Sequence, residues 1–240
     1  MILRFIVVVC AVSAFSFAYF PFLGEDTSTI GRKGGVEIEG NTTYFRYYDG
    51  TNHQDYILQV NVGLSPHMDI SFFVPYSKFY NGDNLEGLND AGFILKHLLS
   101  GGNPRFGYSL QVNIDTGRKG IGYGKSTFNL YLVGEYDYRG TTYNVNLVYI
   151  KAEQVEELRD SFGVIVGLFR NFRDVISYGV ELNLSIPEDK SIDTPNVHLI
   201  VGCVYHLNSH TDISLGLHKT LTYHPSFVDY GALTGVLVAF

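Results

Sequence analysis

The sequence predicts an all-β protein: a closed, antiparallel, up-and-down transmembrane β-barrel of about 12 strands that follows a cleaved signal peptide. Three observations predict it. Many segments alternate apolar and polar side chains by twos, short and long connections take turns along the chain, and the last strand stops on an aromatic, Phe240. The stretch Lys125 to Lys151 shows the unit most clearly. Phe128, Leu130, Leu132, Tyr136 and Tyr138 share one face, opposite Thr127, Asn129, Glu135 and Asp137. After Arg139-Gly140 the parity changes, and Tyr143, Val145, Leu147 and Tyr149 become the apolar set opposite Thr142, Asn144 and Asn146. Successive strand side chains point to opposite faces, so this is two strands joined by a two-residue hairpin turn. A strand of about ten residues crosses a bilayer at a tilt of ~45°.

The N-terminus reads as an export signal. Arg4 supplies a positive start, Phe5 to Phe15 an apolar core and Ser16-Phe17-Ala18 a cleavage site, so residues 1–18 are assigned to a signal peptide. Cleavage removes Arg4 and no acid, leaving 16 basic against 24 acidic residues, a net charge of −8. That balance, with no basic stripe, excludes nucleic acid as a natural partner. Cys203 becomes the only cysteine and reads as a small apolar strand residue. With 18 Tyr, 17 Phe and no Trp, the aromatic girdles of a membrane barrel would be built from Tyr and Phe.

Residues 19–34 are expected to form an irregular periplasmic lead, and residues 35–240 the barrel. The alternation places strands at Val36–Tyr47, Asp55–Leu64, Met68–Ser77, Asp90–Leu99, Arg105–Asp115 and Ser126–Tyr138. It continues with Thr141–Lys151, Asp160–Phe172, Asp174–Ile186, Pro195–Leu207, Thr211–Lys219 and Val228–Phe240. The fourth is ambiguous, since Glu86 to Leu99 also fits an amphipathic helix. Short links (Ser65–His67, Ser100–Pro104, Arg139–Gly140, the turn near Arg173, Asn208–His210) interleave with longer ones. The longer set is Asp49–Gln54, Lys78–Asn89, Thr116–Lys125, Ala152–Arg159, Pro187–Thr194 and Leu221–Phe227. A barrel with one rim outside the cell and one in the periplasm sorts its loops this way, and a soluble sandwich has no reason to. The last segment puts Val228, Tyr230, Ala232, Val236, Val238 and Phe240 on one face. Of these, Tyr230, Val236, Val238 and Phe240 are similar to the C-terminal assembly signal of bacterial outer-membrane barrels. That implies the barrel-assembly machinery of a Gram-negative-type envelope and the outer-membrane bilayer as partners.

The polar face of such a barrel lines its lumen. The candidates are Glu37, Asp69, Asp90, Lys96, Gln111, Asn113, Glu135, Asp137, Asn144, Asn146, Glu181, Asn183, His198 and His218, with Asp229 on the same parity. Acids dominate, which makes the lumen weakly cation-favouring. Ile57, Phe73, Ile150, Ile165, Phe169, Leu233 and Leu237 also fall on that face, either as packing inside a partly filled lumen or as a path for an apolar solute. Twelve strands lie between barrels filled by side chains and wide water-filled ones.

Other motifs carry less. In GRKGIGYGKST, Gly120 and Gly124 are one residue too close for a phosphate-binding loop. The eight histidines form no zinc pattern. His198 and His218 become diagonal lumen neighbours if the Asn208 turn pairs its strands simply. An enzyme of the outer-membrane phospholipase kind needs a Ser–His pair and an orienting polar group on the lipid face near the outer rim. None is evident, so no enzyme, metal or cofactor is expected.

Three stretches resemble a known family. They are FPFLGEDTSTIGRKGGVEIEG before and into the first strand, GLNDAGFILKHLL with its early Asp90 and late Lys96, and DTGRKGIGYGKSTFNLYLVGEYDY. Each is similar to the corresponding part of the phenol-degradation-pathway (MetA-type) outer-membrane transporter family. The resemblance implies a channel or transporter, with small aromatic or apolar compounds as solutes. It also implies that Asp90–Leu99 is a strand. Passive passage of small solutes is the expected function. A non-conducting structural or adhesive barrel acting through its outer loops is the alternative, and a soluble β-sandwich a third.

Overall fold

The computed structural model describes residues 25–26, 33–81, 83–152, 158–173 and 175–240; the expected signal peptide lies outside them. Thirteen strands make one antiparallel sheet. They are β1 (Val36–Tyr47), β2 (Asn52–Ser65), β3 (Met68–Asn81), β4 (Asp83–Leu88), β5 (Gly92–Ser100), β6 (Arg105–Asn113) and β7 (Thr127–Tyr138), then β8 (Thr141–Lys151), β9 (Ser161–Phe172), β10 (Ile176–Ser185), β11 (Asn196–Asn208), β12 (Thr211–Thr220) and β13 (Val228–Ala239). Each strand pairs with its neighbours in sequence, except that β3 pairs with both β4 and β5. The sheet closes where β1 meets β13, from Glu37↔Ala239 to Tyr47↔Val228. The result is a closed ring of 12 strands with β4 as an addition, and no helix among the described residues.

The alternation read from the sequence becomes the two faces of the wall. Large apolar side chains such as Leu58, Phe72, Leu147, Phe162, Leu215 and Leu217 are exposed on the outside. Polar side chains such as Gln59, Gln111, Asn129, Asn146 and Glu181 are buried inside. An apolar belt of this extent is stable in hydrocarbon and not in water, and closure leaves no sheet edge unpaired within it. Cys203, a free thiol, pairs across from Tyr178 and takes the outward parity.

Four local features depart from the sequence reading. First, β3 does not stop at Ser77. It runs on to Asn81, and β4 folds back on it from Asn81↔Asp83 to Tyr76↔Leu88. Pro75 sits where β3 changes partner from β5 to β4, a place in the ladder that needs no N–H. Second, β5 begins at Gly92, so Asp90 precedes the strand; the helix alternative for Glu86–Leu99 does not occur. Third, the register between β1 and β13 shifts at Arg46/Tyr47. The shift turns Val228 inward and fully buried while Tyr230 stays outside, so the two do not share a face. Asp229 then lies beside Lys219 as an ion pair on an exposed side chain rather than in the lumen. Fourth, the link after β1 is the short turn Tyr48–Thr51, so that outer connection is not long.

The inner turns follow ordinary hairpin chemistry. Arg139 and Gly140 both take positive φ (51° and 75°), the geometry whose twist matches the flanking strands. The Arg139 guanidinium covers the Tyr138 ring at 5.1 Å.

Inside the ring, glycines make room for aromatic rings. A Cβ at Gly231 would sit 2.3 Å from a Phe45 ring carbon, whereas one at Gly40 would meet nothing within 4 Å. Gly231→Val is therefore expected to lower the unfolding free energy in detergent by roughly 1–3 kcal/mol, an overpacking cost. Gly40→Val, on the outer face of the adjoining strand, should leave it within ~0.5 kcal/mol, both measured by urea titration.

Candidate functional site

The candidate site is the lumen, and its contents are ordered from the outer rim to the inner one. Near the outer rim, His53 Nε2 lies 2.8 Å from Asp55 Oδ1, and the Ser77 hydroxyl donates to the same oxygen at 2.5 Å. The His53 ring stacks on Phe79 with centroids 4.2 Å apart. On β12 and β11, His218 Nε2 and His198 Nδ1 are 2.8 Å apart and buried, with the Phe45 ring edge-on to His218. The diagonal pairing expected for these two histidines follows from the register His198↔Thr220 and Ile200↔His218.

Glu25 and Asp26 are buried inside the ring, where the sequence reading expected a periplasmic lead. Their backbone is held by paired amides. The Glu25 N–H donates to Asn146 Oδ1 at 2.8 Å, and Asn144 and Asn146 donate to its carbonyl at 2.9 and 3.1 Å. Their carboxylates converge on Lys96, whose Nζ is 2.7 Å from Asp26 Oδ1 and 3.5 Å from Glu25 Oε2. The Ser109 hydroxyl completes the grip by donating to Glu25 Oε1 at 3.0 Å. Burying these carboxylates is tolerable only because a cation and several donors meet them.

The remaining amides satisfy one another along and across strands. Gln59 donates to Asn61 at 2.7 Å, Gln111 to Asn113 at 2.8 Å, and Asn113 to Thr127 at 2.9 Å. Glu37 takes the same inward parity and faces Asn61 across β1 and β2. Asp69 faces Lys96 across β3 and β5. Glu181 is buried inside, opposite Ile200, and Asn183 opposite His198. Nearer the inner rim, Arg105 binds Glu135 at 3.2 Å and Asp137 more closely still, and Asp137 also accepts from Thr142 at 2.7 Å. Arg105 shares the parity of Ser109 and Gln111, so the alternation itself could have found it.

Asp90 does something else. Its carboxylate accepts N–H groups from Thr116 (3.2 Å), Gly117 (2.8 Å) and Tyr123 (2.7 Å), so it pins the glycine-rich outer loop rather than lining the wall. Burial raises its proton affinity and these donors pull it back. The N–H groups a phosphate would need are thus taken up internally. In the loop after β10, Glu188 is buried with no hydrogen-bonding partner for Oε2 among the described residues, and burial pushes its carboxyl up to about 8.

Between these polar groups runs one connected apolar cluster on the same inner face, including Ile57, Phe73, Ile94, Val133, Ile165 and Leu233. The lumen is therefore two-sided in chemistry, with amides and charges beside a greasy strip.

No family model matches the sequence, and no curated protein is significantly similar to it. Solved structures are. An outer-membrane channel from Pseudomonas putida F1 superposes with a TM-score of 0.70 over 90% of this chain and 98% of its own, at 11% identity. The fold is that of an outer-membrane channel. The NanC porin follows with a TM-score of 0.57 at 8% identity, covering 85% of this chain and 98% of its own. The β domain of the Bordetella autotransporter BrkA also gives 0.57 at 12% identity, covering 87% and 100%.

Two expectations follow from the geometry. Lys96→Met removes the cation that holds Glu25 and Asp26, and retaining both carboxylates in place would cost roughly 3–5 kcal/mol. Hydrogen exchange of the peptide containing them should accelerate at least about tenfold, equivalent to ~1.4 kcal/mol. For Glu188, the folded carboxyl holds its proton to about 8 while the unfolded loop ionises in the ordinary carboxylate range. Its contribution to loop order is thus complete at acid pH and is lost as pH rises through about 8. Exchange of residues 186–195, corrected for intrinsic rates, should show that loss in the native chain and stay flat in Glu188→Gln.

Proposed function

We propose that the chain is an outer-membrane channel for passive passage of small solutes, with a lumen that favours cations and accepts small apolar or aromatic compounds. One observation carries this reading: a closed barrel with an apolar exterior encloses a lumen whose hydrogen-bonded polar wall adjoins a continuous apolar strip. Solved barrels of the same fold include an outer-membrane channel and a porin, which supports it. The acids facing inward (Glu37, Asp69, Glu135, Asp137, Glu181) outnumber the inward cations Lys96 and Arg105, while Asp90, expected on the same face, holds the outer loop. The surplus supports cation preference. Asn183, His198 and the amides of Gln111, Asn113, Asn144 and Asn146 supply neutral hydrogen-bonding positions along the path. The outward residues of β13, Tyr230, Val236, Val238 and the terminal Phe240, support recognition by the barrel-assembly machinery. The export signal in residues 1–18 supports the location.

Glu25 and Asp26 narrow this path, and their ion pairs to Lys96 set how far. In planar bilayers with a salt gradient, the native chain should give small discrete conducting steps and a zero-current potential of the sign that favours cations. Lys96→Met should raise the step size several-fold. A small aromatic alcohol added to one side should reduce the current reversibly. Properly inserted protein that stays silent in both forms would point to the non-conducting alternative.

A further inference from the structure

At the inner rim, four neighbouring strands turn a row of polar side chains into the lumen. Asn171 on β9 pairs directly with Ser177 on β10, and His206 on β11 pairs directly with Asp212 on β12. Ser177 faces Val204, so His206 is its diagonal neighbour two residues on. The side chains meet in order. Ser177 Oγ is 2.8 Å from His206 Nε2, and His206 Nδ1 is 2.9 Å from Asp212 Oδ1. The Ser177 hydroxyl donates to Asn171 Oδ1 at 2.7 Å.

This chain of contacts has the polarity of an activated nucleophile. A carboxylate on Nδ1 favours the tautomer that leaves Nε2 free to accept, and the Ser177 hydroxyl, turned from Asn171 Oδ1 to Nε2, can hand over its proton. The exposure is graded in the same sense. Ser177 is 8% exposed, whereas His206 and Asp212 side chains are each 32% exposed, so the base is reachable from the mouth. Phe169 fills the wall beyond Ser177, its ring lying where side chains at Gly167 and Gly179 would otherwise stand. Leu237 pairs with Asp212 and Val204 with Ser177, so apolar side chains flank the row.

We propose that Ser177, His206 and Asp212 form an esterase site at the inner mouth of the barrel, taking esters of small apolar acyl groups. In the first step Ser177 Oγ attacks the ester carbonyl, and its proton passes to His206 Nε2. The carbon–oxygen bond to the alcohol breaks, and His206 returns the proton to the departing alkoxide. In the second step water, deprotonated by His206, attacks the acyl-serine and releases the acid, restoring Ser177. Ester and water yield acid and alcohol, with no other reactant. Asp212 is a positioning residue, and Asn171 Oδ1 accepts the Ser177 proton in the resting arrangement.

The test uses the folded full chain in detergent, its folded state checked by gel mobility before and after heating. A fluorescent fluorophosphonate, which forms an O–P bond and expels fluoride, should label the protein, and peptide mapping should place the label on Ser177. Ser177→Ala should abolish labelling while keeping the folded mobility. His206→Gln should slow it at least roughly 100-fold, the scale of lost general-base catalysis, and Asp212→Asn should slow it as well. Hydrolysis of p-nitrophenyl acetate and butyrate should fall in parallel. Wild-type protein labelled no faster than Ser177→Ala, or labelling indifferent to His206→Gln, would overturn the site and leave the row as rim packing.

Discussion

The structure depends on one constraint: a backbone in hydrocarbon has no water to bond, so every strand needs a strand on both sides. The ring meets it by joining its first and last strands, β1 and β13. Much of the sequence follows from that closure. The outward residues must suit lipid, which accounts for the exposed Leu, Val, Phe and Tyr. The inward residues share a confined space and must satisfy one another's polar groups. The bulge at β13 is part of the same closure, since it lets Val228 fill the inside while Tyr230 remains at the outer surface.

The interior solves a second problem, that of many buried polar atoms. Amides pair along strands, as Gln59 does with Asn61 and Gln111 with Asn113. Charges meet opposite charges, at Lys96 with Glu25 and Asp26 and at Arg105 with Glu135 and Asp137. A network of this kind is stable only while complete, because each member left alone carries its full desolvation cost. The two acids donated by the lead segment therefore belong to the wall chemistry, and the opening of the lumen is tied to a small number of ion pairs. Glu188 stands apart as an acid met by burial rather than by a cation.

The wall was legible in the sequence, because period two is a local property and survives without knowledge of partners. Phe106 to Ile114, Phe128 to Tyr138 and Ile176 to Leu184 took their faces from parity alone, and the short inner turns fell at Arg139-Gly140 and Asn208–His210. What was illegible depended on contacts across the ring. Glu25 and Asp26 sit in a stretch without periodicity, and only Lys96, far along the chain, shows where they belong. β4 hides in Asp83–Leu88, whose Asp, Asn and Gly read as loop until β3 is long enough to pair with them. Asp90 has the lumen parity yet serves a loop, and a one-residue bulge moved Asp229 outside. The Ser177–His206–Asp212 row escaped for a different reason. A hydrolytic pair was sought on the lipid face near the outer rim, whereas these residues share the inner face at the other end, on strands whose register is set by turns at Arg173 and Ser209-His210.

The central claim is that β7 is one wall of a membrane-spanning ring, with lipid on one side and the lumen on the other. The most direct measurement replaces Cys203 with Ser and places single cysteines along Thr127–Tyr138, each carrying an environment-sensitive fluorophore, in vesicles of ordinary and brominated lipid. Quenching by brominated chains should be strong at Phe128, Leu130, Leu132 and Tyr136 and weak at Asn129, Tyr131, Val133 and Glu135. Uniform quenching, or none at either parity, would contradict a transmembrane barrel with this orientation of its faces.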